Sequence, residues 1–291
     1  MHIPVLLHKV LEILEPKPKD FFIDATLGGG GHAREIIQRI KPGGIFLGVD
    51  LSAEAIARFK SEMSAEKEIQ IFLKQGNFAD LAEIVKKLGL PLADGLLLDL
   101  GFSSIELETN RGFSFLKDEP LLMTYDEKAE PLWQKLKRLS REQIYQIVKI
   151  TGERYARRIS QEIYRQERKN PIKTTGELVK IILTAVPRHY ERGRIHPATR
   201  TFLAFRIFIN QELENLERTM KVIPEILKPT GRAAVITFQS LEDRIVKEKL
   251  RQLSRIKLIE LLNKKPIGPT RDEIIKNPRS RSAKLRAAVR L

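Results

Sequence analysis

The stretch FFIDATLGGGGH, residues 21–32, decides the fold of this chain of 291 residues. Its first three residues form an apolar run typical of a short buried strand, which ends at Asp24, and the glycines 28–31 then lead into a helical pattern. Glycine permits the sharp turn and the close ligand approach that such a junction needs. N–H groups at the start of a helix also point toward bound anions and nucleotides. The stretch therefore predicts a nucleotide-like cofactor at the end of a parallel strand.

Similar apolar runs recur along the N-terminal third of the chain. They begin near Phe21, Ile45, Ile69 and Gly95, at intervals of 24, 24 and 26 residues. Helical patterns fill the intervals, over about 31–40, 52–63 and 80–88. This alternation predicts βαβ units and an α/β, Rossmann-like doubly wound parallel sheet.

A long interval separates these runs from the next strand pattern, RAAVITF, which begins at Arg232, 137 residues after Gly95. Compact connections are far shorter, so the interval must contain a folded unit of its own. Two capping-box patterns predict helices there, starting near 141 and 175, and a helical periodicity runs from about 153 to 169. We predict a small helical domain over 107–195, inserted into an α/β domain formed by 1–106 and 196–291.

The C-terminal part continues the α/β pattern. A long helix is predicted from Pro197 to about Leu227, followed by the strand RAAVITF and a helix over 241–253. Two further strands are expected around 257–262 and 284–291.

Composition excludes several classes of protein. The chain has no cysteine, which removes disulfides, cysteine-ligated metals and a cysteine nucleophile. No apolar run approaches the ~20 residues of a membrane helix, and no signal peptide is visible. No histidine or acidic residue falls at a recognisable metal-ligand spacing. We expect a cytoplasmic protein without membrane association or bound metal.

The net charge of +15 is unevenly distributed. Residues 133–206 hold 18 Lys/Arg and 6 Asp/Glu, residues 263–291 hold 9 and 2, and the remaining residues sum to −4. This asymmetry favours a polyanionic partner, with solubility alone as the alternative interpretation. Aromatic residues within the basic region are candidates for base stacking or for packing inside the helical domain: Trp133, Tyr145, Tyr155 and Tyr164.

Two acidic residues bear on the cofactor. Asp50 ends the second strand, where a carboxylate accepts hydrogen bonds from the ribose of NAD or of S-adenosylmethionine. Asp99 ends the fourth strand and favours a cationic donor group, unless it only caps a helix or a loop. Phe78 is a candidate for packing against adenine or in the core, and His32 for a contact through its backbone N–H.

At this point the chain resembles the bacterial 16S ribosomal RNA cytosine-N4 methyltransferases (MraW/RsmH). The likeness runs nearly end to end, through segments that follow in the order of that family. They are HIPVLLHKVLE, DATLGGGGH, LLLDLGFSS, RGFSF, GERYARRI, HPATRTFLAFRIFIN, SLEDRIVK and NPRSRSAKLR.

The resemblance implies a Rossmann-like methyltransferase with an inserted helical domain that recognises RNA. Its reaction would move a methyl group from S-adenosylmethionine to the exocyclic N4 of one cytidine in the decoding centre of the small ribosomal subunit. Matched position by position, the implied cofactor contacts are Gly30, Gly31, His32, Asp50, Phe78, Asp99 and Glu106.

Several positions depart from the pattern of that family. Glu106 stands where the family usually has Gln, and Gln239 where it usually has His. Leu122 and Thr124 replace the usual Asp and Arg, whereas Asp126 matches. Gln239 is therefore not expected to act as an indispensable base.

The implied chemistry suggests roles for individual residues. Asp99 is the first candidate to accept a hydrogen bond from the N4 amine and to help remove its proton, with the carbonyl of Leu100 as a substitute. Candidates for phosphate contact are Arg154, Arg157, Arg158, Arg200 and Arg206. Two other readings stay open: a nicotinamide-dependent oxidoreductase, and an RNA-binding assembly factor that has lost catalysis.

Overall fold

A computed structural model describes residues 4–101, 110–190 and 195–291 of the chain. The chain divides into two compact units. We call Met1–Ser103 with Leu213–Leu291 the sheet unit, and Ser104–Glu212 the helical unit.

Within the described residues, the sheet unit is built on seven strands in the order β3-β2-β1-β4-β5-β7-β6. The strands are β1 (Phe21–Asp24), β2 (Ile45–Asp50), β3 (Gln70–Gln75), β4 (Ala93–Asp99), β5 (Leu227–Thr237), β6 (Ile259–Leu261) and β7 (Lys284–Arg290). Neighbours among β1–β5 pair in parallel, whereas β7 runs antiparallel to both β5 and β6. The parallel, doubly wound sheet predicted from the sequence is confirmed.

The described helices are α1 (Leu7–Leu14), α2 (Gly31–Ile40), α3 (Ala53–Glu62), α4 (Leu81–Lys87), α5 (Leu132–Leu136), α6 (Arg141–Lys149), α7 (Ala156–Lys169), α8 (Thr175–Ala185), α9 (Thr199–Asn210), α10 (Glu212–Ile226), α11 (Ser240–Arg255) and α12 (Arg271–Lys276). Short 3₁₀ segments cover Phe78–Asp80 and Pro278–Ser282. Both predicted capping boxes are present, at Ser140 for α6 and at Thr174 for α8.

Helices cover both faces of the sheet, which explains why its strands are apolar on both sides. One face packs against α4, α10 and α11 through residues such as Leu81, Met220 and Val246. The other packs against α1, α2 and α3, where Ile37 and Phe59 are almost completely buried. The carboxyl ends of β1, β2 and β4 therefore meet at one edge of the sheet.

The helical unit has a core of its own, and α9 belongs to it. Phe202, Phe205 and Ile209 of α9 are buried in the same cluster as residues of α6, α7 and α8. The division at Glu212 therefore differs from the predicted boundary at 195/196, because the apolar side of α9 completes this core.

The long helix expected from Pro197 to about Leu227 is two helices. Gln211, between α9 and α10, has a φ of 51°, in the left-handed region, and ends the first helix. The prediction of a single helix was wrong here, because an uninterrupted helical pattern does not show where one residue leaves the helical conformation.

Within residues 4–101, 110–190 and 195–291, no helix combines the length and the apolarity needed to cross a membrane.

The packing between β1 and β4 leaves no room for a side chain at Gly95. A Cβ there would lie 2.0 Å from Cε1 of Phe22. We expect Gly95→Ala to lower the free energy of unfolding by about 1–3 kcal/mol through overpacking. Equilibrium urea unfolding would measure this. Combined with Phe22→Leu, the loss should be smaller than the sum of the single losses; strictly additive losses would contradict the proposed clash.

Candidate functional site

The Asp50 carboxylate holds the glycine loop in place. Its Oδ2 accepts a hydrogen bond from the N–H of Gly28 at 2.7 Å, and its Oδ1 accepts one from Ser52 at 2.8 Å. Each carboxylate oxygen has further lone pairs, so these bonds leave acceptor capacity for a ribose hydroxyl. The predicted ribose contact of Asp50 stays a prediction.

Two glycines of the loop are required by packing within the chain. Gly30 has a φ of 71°, and a Cβ on it would lie 2.5 Å from the Phe59 ring. A Cβ on Gly31 would lie 2.4 Å from Cγ of Pro4. The loop is therefore pressed between α3 and the N-terminal segment, which fixes where the N-terminus of α2 points.

His32, on the first turn of α2, is a buried link between two parts of the sheet unit. Its Nε2 lies 3.0 Å from the carbonyl oxygen of Val5, and its Nδ1 lies 3.7 Å from Oδ2 of Asp99. Since a carbonyl oxygen only accepts, Nε2 carries a proton, and Nδ1 faces the carboxylate. The sequence predicted only a backbone contact for this residue; the packing of its side chain was not foreseen.

Asp99 is held at the end of β4 by bonds to both its backbone and its side chain. Its N–H donates to Oγ1 of Thr26 at 2.7 Å, and its Oδ1 accepts from the N–H of Gly101 at 3.0 Å. The side chain is 18% exposed. Asp99 therefore makes a hydrogen bond within its own loop, which was the predicted alternative to a role beside a cationic group. Part of its carboxylate is nevertheless exposed to solvent.

Asp24 lies at the end of β1, close to the other two carboxylates. Burial, with smaller contributions from Asp99 and Asp50, raises the pKa of Asp24 from its usual 3.8 to about 7. Burial also raises the pKa of Asp50, although the N–H donors of Ser52 and Gly28 oppose this. The site therefore gathers negative charge that a bound cation would relieve.

In the part of the chain that the structure describes, no group of three or more His, Cys, Asp or Glu side chains is arranged to hold a metal ion.

For three other residues singled out in the sequence, the structure gives less information about a contact with the cofactor or substrate. Phe78 begins the 3₁₀ segment after β3 and packs, half-buried, against the sheet core. Glu106 lies outside the described residues. Gln239 precedes α11, and its Oε1 is buried without a hydrogen-bond partner in the described structure.

The departure at Thr124 has a local structural role in the helical unit. Arg111 donates from Nη2 to Oγ1 of Thr124 and from Nε to its carbonyl oxygen, both at 2.8 Å. Thr124 is 2% exposed.

On the helical unit, several basic side chains lie over half-buried aromatic rings. The guanidinium of Arg157 is 4.8 Å from the ring centre of Tyr145, and that of Arg158 is 5.8 Å from Tyr155. Both arginines are exposed, as is Arg154. Their RNA contacts, and base stacking by the aromatic residues, remain predictions.

Arg200 and Arg206, the other two predicted phosphate contacts, bind within the helical unit. Arg206 makes two hydrogen bonds to Glu212, at 2.8 and 3.0 Å. Arg200 donates to the hydroxyl of Tyr190, which donates to the buried Glu153. Both guanidinium groups are therefore engaged by side chains of the helical unit, which was not visible from the sequence.

A family model described as the MraW methylase family matches residues 1–291. The chain belongs to the MraW methylase family. The resemblance recognised in the sequence is thereby confirmed, and membership of a methylase family leaves no support for the oxidoreductase reading. The relatives described next are about 40% identical to this chain.

Three similar proteins carry the description "Ribosomal RNA small subunit methyltransferase H". The one from Syntrophotalea carbinolica is 41% identical over 100% of this chain and 98% of its own length. The one from Symbiobacterium thermophilum is also 41% identical, over 100% and 96%. The one from Persephonella marina is 40% identical, over 100% and 99%.

Three residues that contribute to this site were not predicted from the sequence. Pro4 and Val5 pack on the glycine loop and on His32, although nothing in their local sequence indicates where they lie. Thr26, which positions Asp99, lies within the quoted stretch, and only the pairing of β1 with β4 brings the two residues together.

The pKa of Asp24 predicts how stability depends on pH. Folded Asp24 keeps its proton up to about pH 7, whereas an unfolded aspartate loses it near 3.8, so the folded state binds more protons between these values. The free energy of unfolding should therefore fall as pH rises through this window, by about 4 kcal/mol at most. Asp24→Asn should remove that fall in urea unfolding curves taken from pH 4 to 8.

The matched control is Asp272→Asn on the exposed first turn of α12, which should keep the pH dependence of the unchanged protein. An Asp24→Asn variant with the same pH dependence as that control would contradict the raised pKa.

Proposed function

We propose that this protein transfers the methyl group of S-adenosylmethionine to the exocyclic N4 of one cytidine in the decoding centre of 16S ribosomal RNA. Family membership makes it a methyltransferase. The names of its relatives support RNA of the small ribosomal subunit as the substrate. The proposed place of action is the cytoplasm, where this RNA is assembled.

The observation that carries the choice of cofactor is the group of carboxylates beside the glycine loop. Asp99 and Asp50 both contribute to the raised pKa of Asp24, after its burial, and a sulfonium cation would relieve this repulsion. The two phosphates of a dinucleotide would instead meet the same negative charge. The residues present therefore fit S-adenosylmethionine.

Three of the proposed contact regions are argued from where the structure places their side chains or backbone. Asp50 would accept hydrogen bonds from the ribose, and Phe78 would lie against the adenine. The N–H of Gly31 would face the ligand. The N–H of Gly30 donates to the carbonyl oxygen of Leu27 at 2.7 Å, so Gly30 would contribute the close approach of its backbone instead. Glu106 is proposed as a further contact from its match to the family alone. When bound, S-adenosylmethionine supplies an electrophilic methyl group.

The protein must also prepare the cytidine amine, whose lone pair is delocalised into the ring. A new C–N bond forms as the S–C bond breaks, and N4 must lose one proton. We assign the acceptor of that proton to Asp99, whose carboxylate is held in position by the bond from the N–H of Gly101. Alignment of N4 with the methyl group supplies much of the remaining acceleration.

The test of this function uses methyl-labelled S-adenosylmethionine and small ribosomal subunits that lack the modification. After transfer, the RNA is digested and the labelled nucleoside is identified. N4-methylcytidine at a single site is the expected result. RNA binding without any label would favour the non-catalytic assembly factor, and a label on another atom would refute the assigned reaction.

Replacing Asp99 tests its assignment as proton acceptor. We expect Asp99→Ala and Asp99→Asn each to lower kcat by about 10²–10⁴, the range for a lost general base, while RNA affinity is unchanged. Single-turnover transfer at saturating S-adenosylmethionine separates this effect from weaker cofactor binding. Unchanged turnover in both variants would exclude Asp99 as the acceptor.

Charge neutralisation tests the RNA contacts proposed for the helical unit. Replacing Arg154, Arg157 and Arg158 together by Gln should weaken RNA binding and flatten its dependence on salt, since fewer counterions are released. The dissociation constant is measured at several salt concentrations. The control carries the same charge change at exposed positions elsewhere in this unit: Arg141, Lys173 and Lys180. Equal salt slopes in the two variants would argue against this surface.

A further inference from the structure

A cleft in the sheet unit gathers positive charge away from the carboxylates described above. It is a shallow depression between α11 and the end of β6, and four cationic side chains line it: Lys247, Arg251, Lys264 and Arg286. The other lining groups are Leu250, Leu261 and the amide of Asn263. We call this the basic cleft. No carboxylate is among its lining residues.

Three of the four cations are available to a ligand. Among the described residues, Lys247, Arg251 and Lys264 form no ion pair with a carboxylate, whereas Arg286 makes bonds of 2.7 and 3.2 Å to Asp243. Lys284 also lies 3.3 Å from that carboxylate, so Asp243 is already neutralised.

The scaffold holds these cations on a common side. Lys247 and Arg251 are four residues apart on α11 and so lie on the same face of that helix. The side chain of Asn263 donates to the carbonyl oxygens of Lys265 and Leu285 and accepts from the N–H of Ala287. These three bonds fix the turn that carries Lys264, which reduces the entropy lost when an anion binds.

Strand register relates the cleft to the carboxyl end of β4, where Asp99 lies. Asp99 of β4 pairs with Ile236 of β5, which pairs with Leu285 of β7. Leu285 in turn bridges to Ile267, just beyond the turn that carries Lys264. Three strand intervals of about 4.8 Å put Ile267 roughly 14 Å from Asp99 across the sheet, and Lys264 lies three residues before Ile267.

We propose that the basic cleft binds a backbone phosphate of the substrate RNA, a few nucleotides from the base that reaches Asp99. This rests on the proposed function, because it takes RNA as the substrate. A phosphodiester matches the cleft in charge, and lysine and arginine are its usual partners in proteins. The sheet unit would then contact the RNA strand in addition to the helical unit.

The experiment compares two triple variants with the unchanged protein. Lys247→Gln, Arg251→Gln and Lys264→Gln are combined in one, and the control has the same charge change at Lys60, Lys67 and Lys86, which are exposed on the β3 side of the sheet unit. We measure the dissociation constant for the RNA of the small subunit at several salt concentrations, with thermal unfolding and S-adenosylmethionine affinity as checks on folding.

The cleft variant should bind RNA at least tenfold more weakly, and its salt slope should fall by about 0.7 for one single-stranded phosphate. The control should change much less, and Arg251→Lys alone should retain binding because it keeps the charge. At saturating RNA, kcat of the cleft variant should be preserved, since the loss is in binding. RNA affinity equal to that of the control would overturn the proposal.

Two further results separate this proposal from its alternatives. If inorganic phosphate raises the thermal midpoint of the unchanged protein but not of the cleft variant, while both bind RNA equally, the cleft takes a free anion and the proposal is wrong. If the unchanged protein binds RNA without transferring methyl groups, the proposed function fails, whereas the cleft is still judged by RNA affinity.

Discussion

The glycine loop depends on the carboxylate of Asp50. One of its oxygens accepts from Gly28 at 2.7 Å and the other from Ser52 at 2.8 Å, so one side chain ties the loop after β1 to the loop after β2. Bonds from N–H groups to a charged acceptor are stronger than neutral ones, which suits a loop that has no side chains of its own. Together with the packing of Gly30 on Phe59 and of Gly31 on Pro4, this bond fixes the start of α2 above the sheet.

The same edge of the sheet concentrates carboxylates, at a cost to the folded state. Asp24 is 2% exposed and keeps its proton up to about pH 7 because burial disfavours its charged form. Raised pKa values of this kind are common at functional sites. A cationic ligand bound beside these carboxylates would favour their charged form. Part of the free energy of ligand binding would therefore offset the cost of burying Asp24.

Positive charge in this protein has two different uses. Arg200 and Arg206 lie in a basic region, yet they bond to side chains of the helical unit, Tyr190 and Glu212. Lys247, Arg251 and Lys264 carry the same charges without carboxylate partners among the described residues. A count of charges along the chain cannot separate these uses, because partnership depends on which helices and strands become neighbours.

By itself the sequence determined the alternation of strands and helices, the glycine loop with Asp50, and the helix starts at Ser140 and Thr174. These features depend on residues close together in the chain, through apolar periodicity, glycine conformation and local capping bonds. It also carried the motifs that identify the family, since these follow one another in order along the chain.

Only the tertiary structure decided the rest. The insertion of β7 antiparallel between β5 and β6 depends on residues far apart in the sequence, and so does the contact of His32 with both Val5 and Asp99. Such contacts are chosen by packing and by hydrogen bonds between distant segments. Local propensity carries no information about which distant partner a side chain will meet.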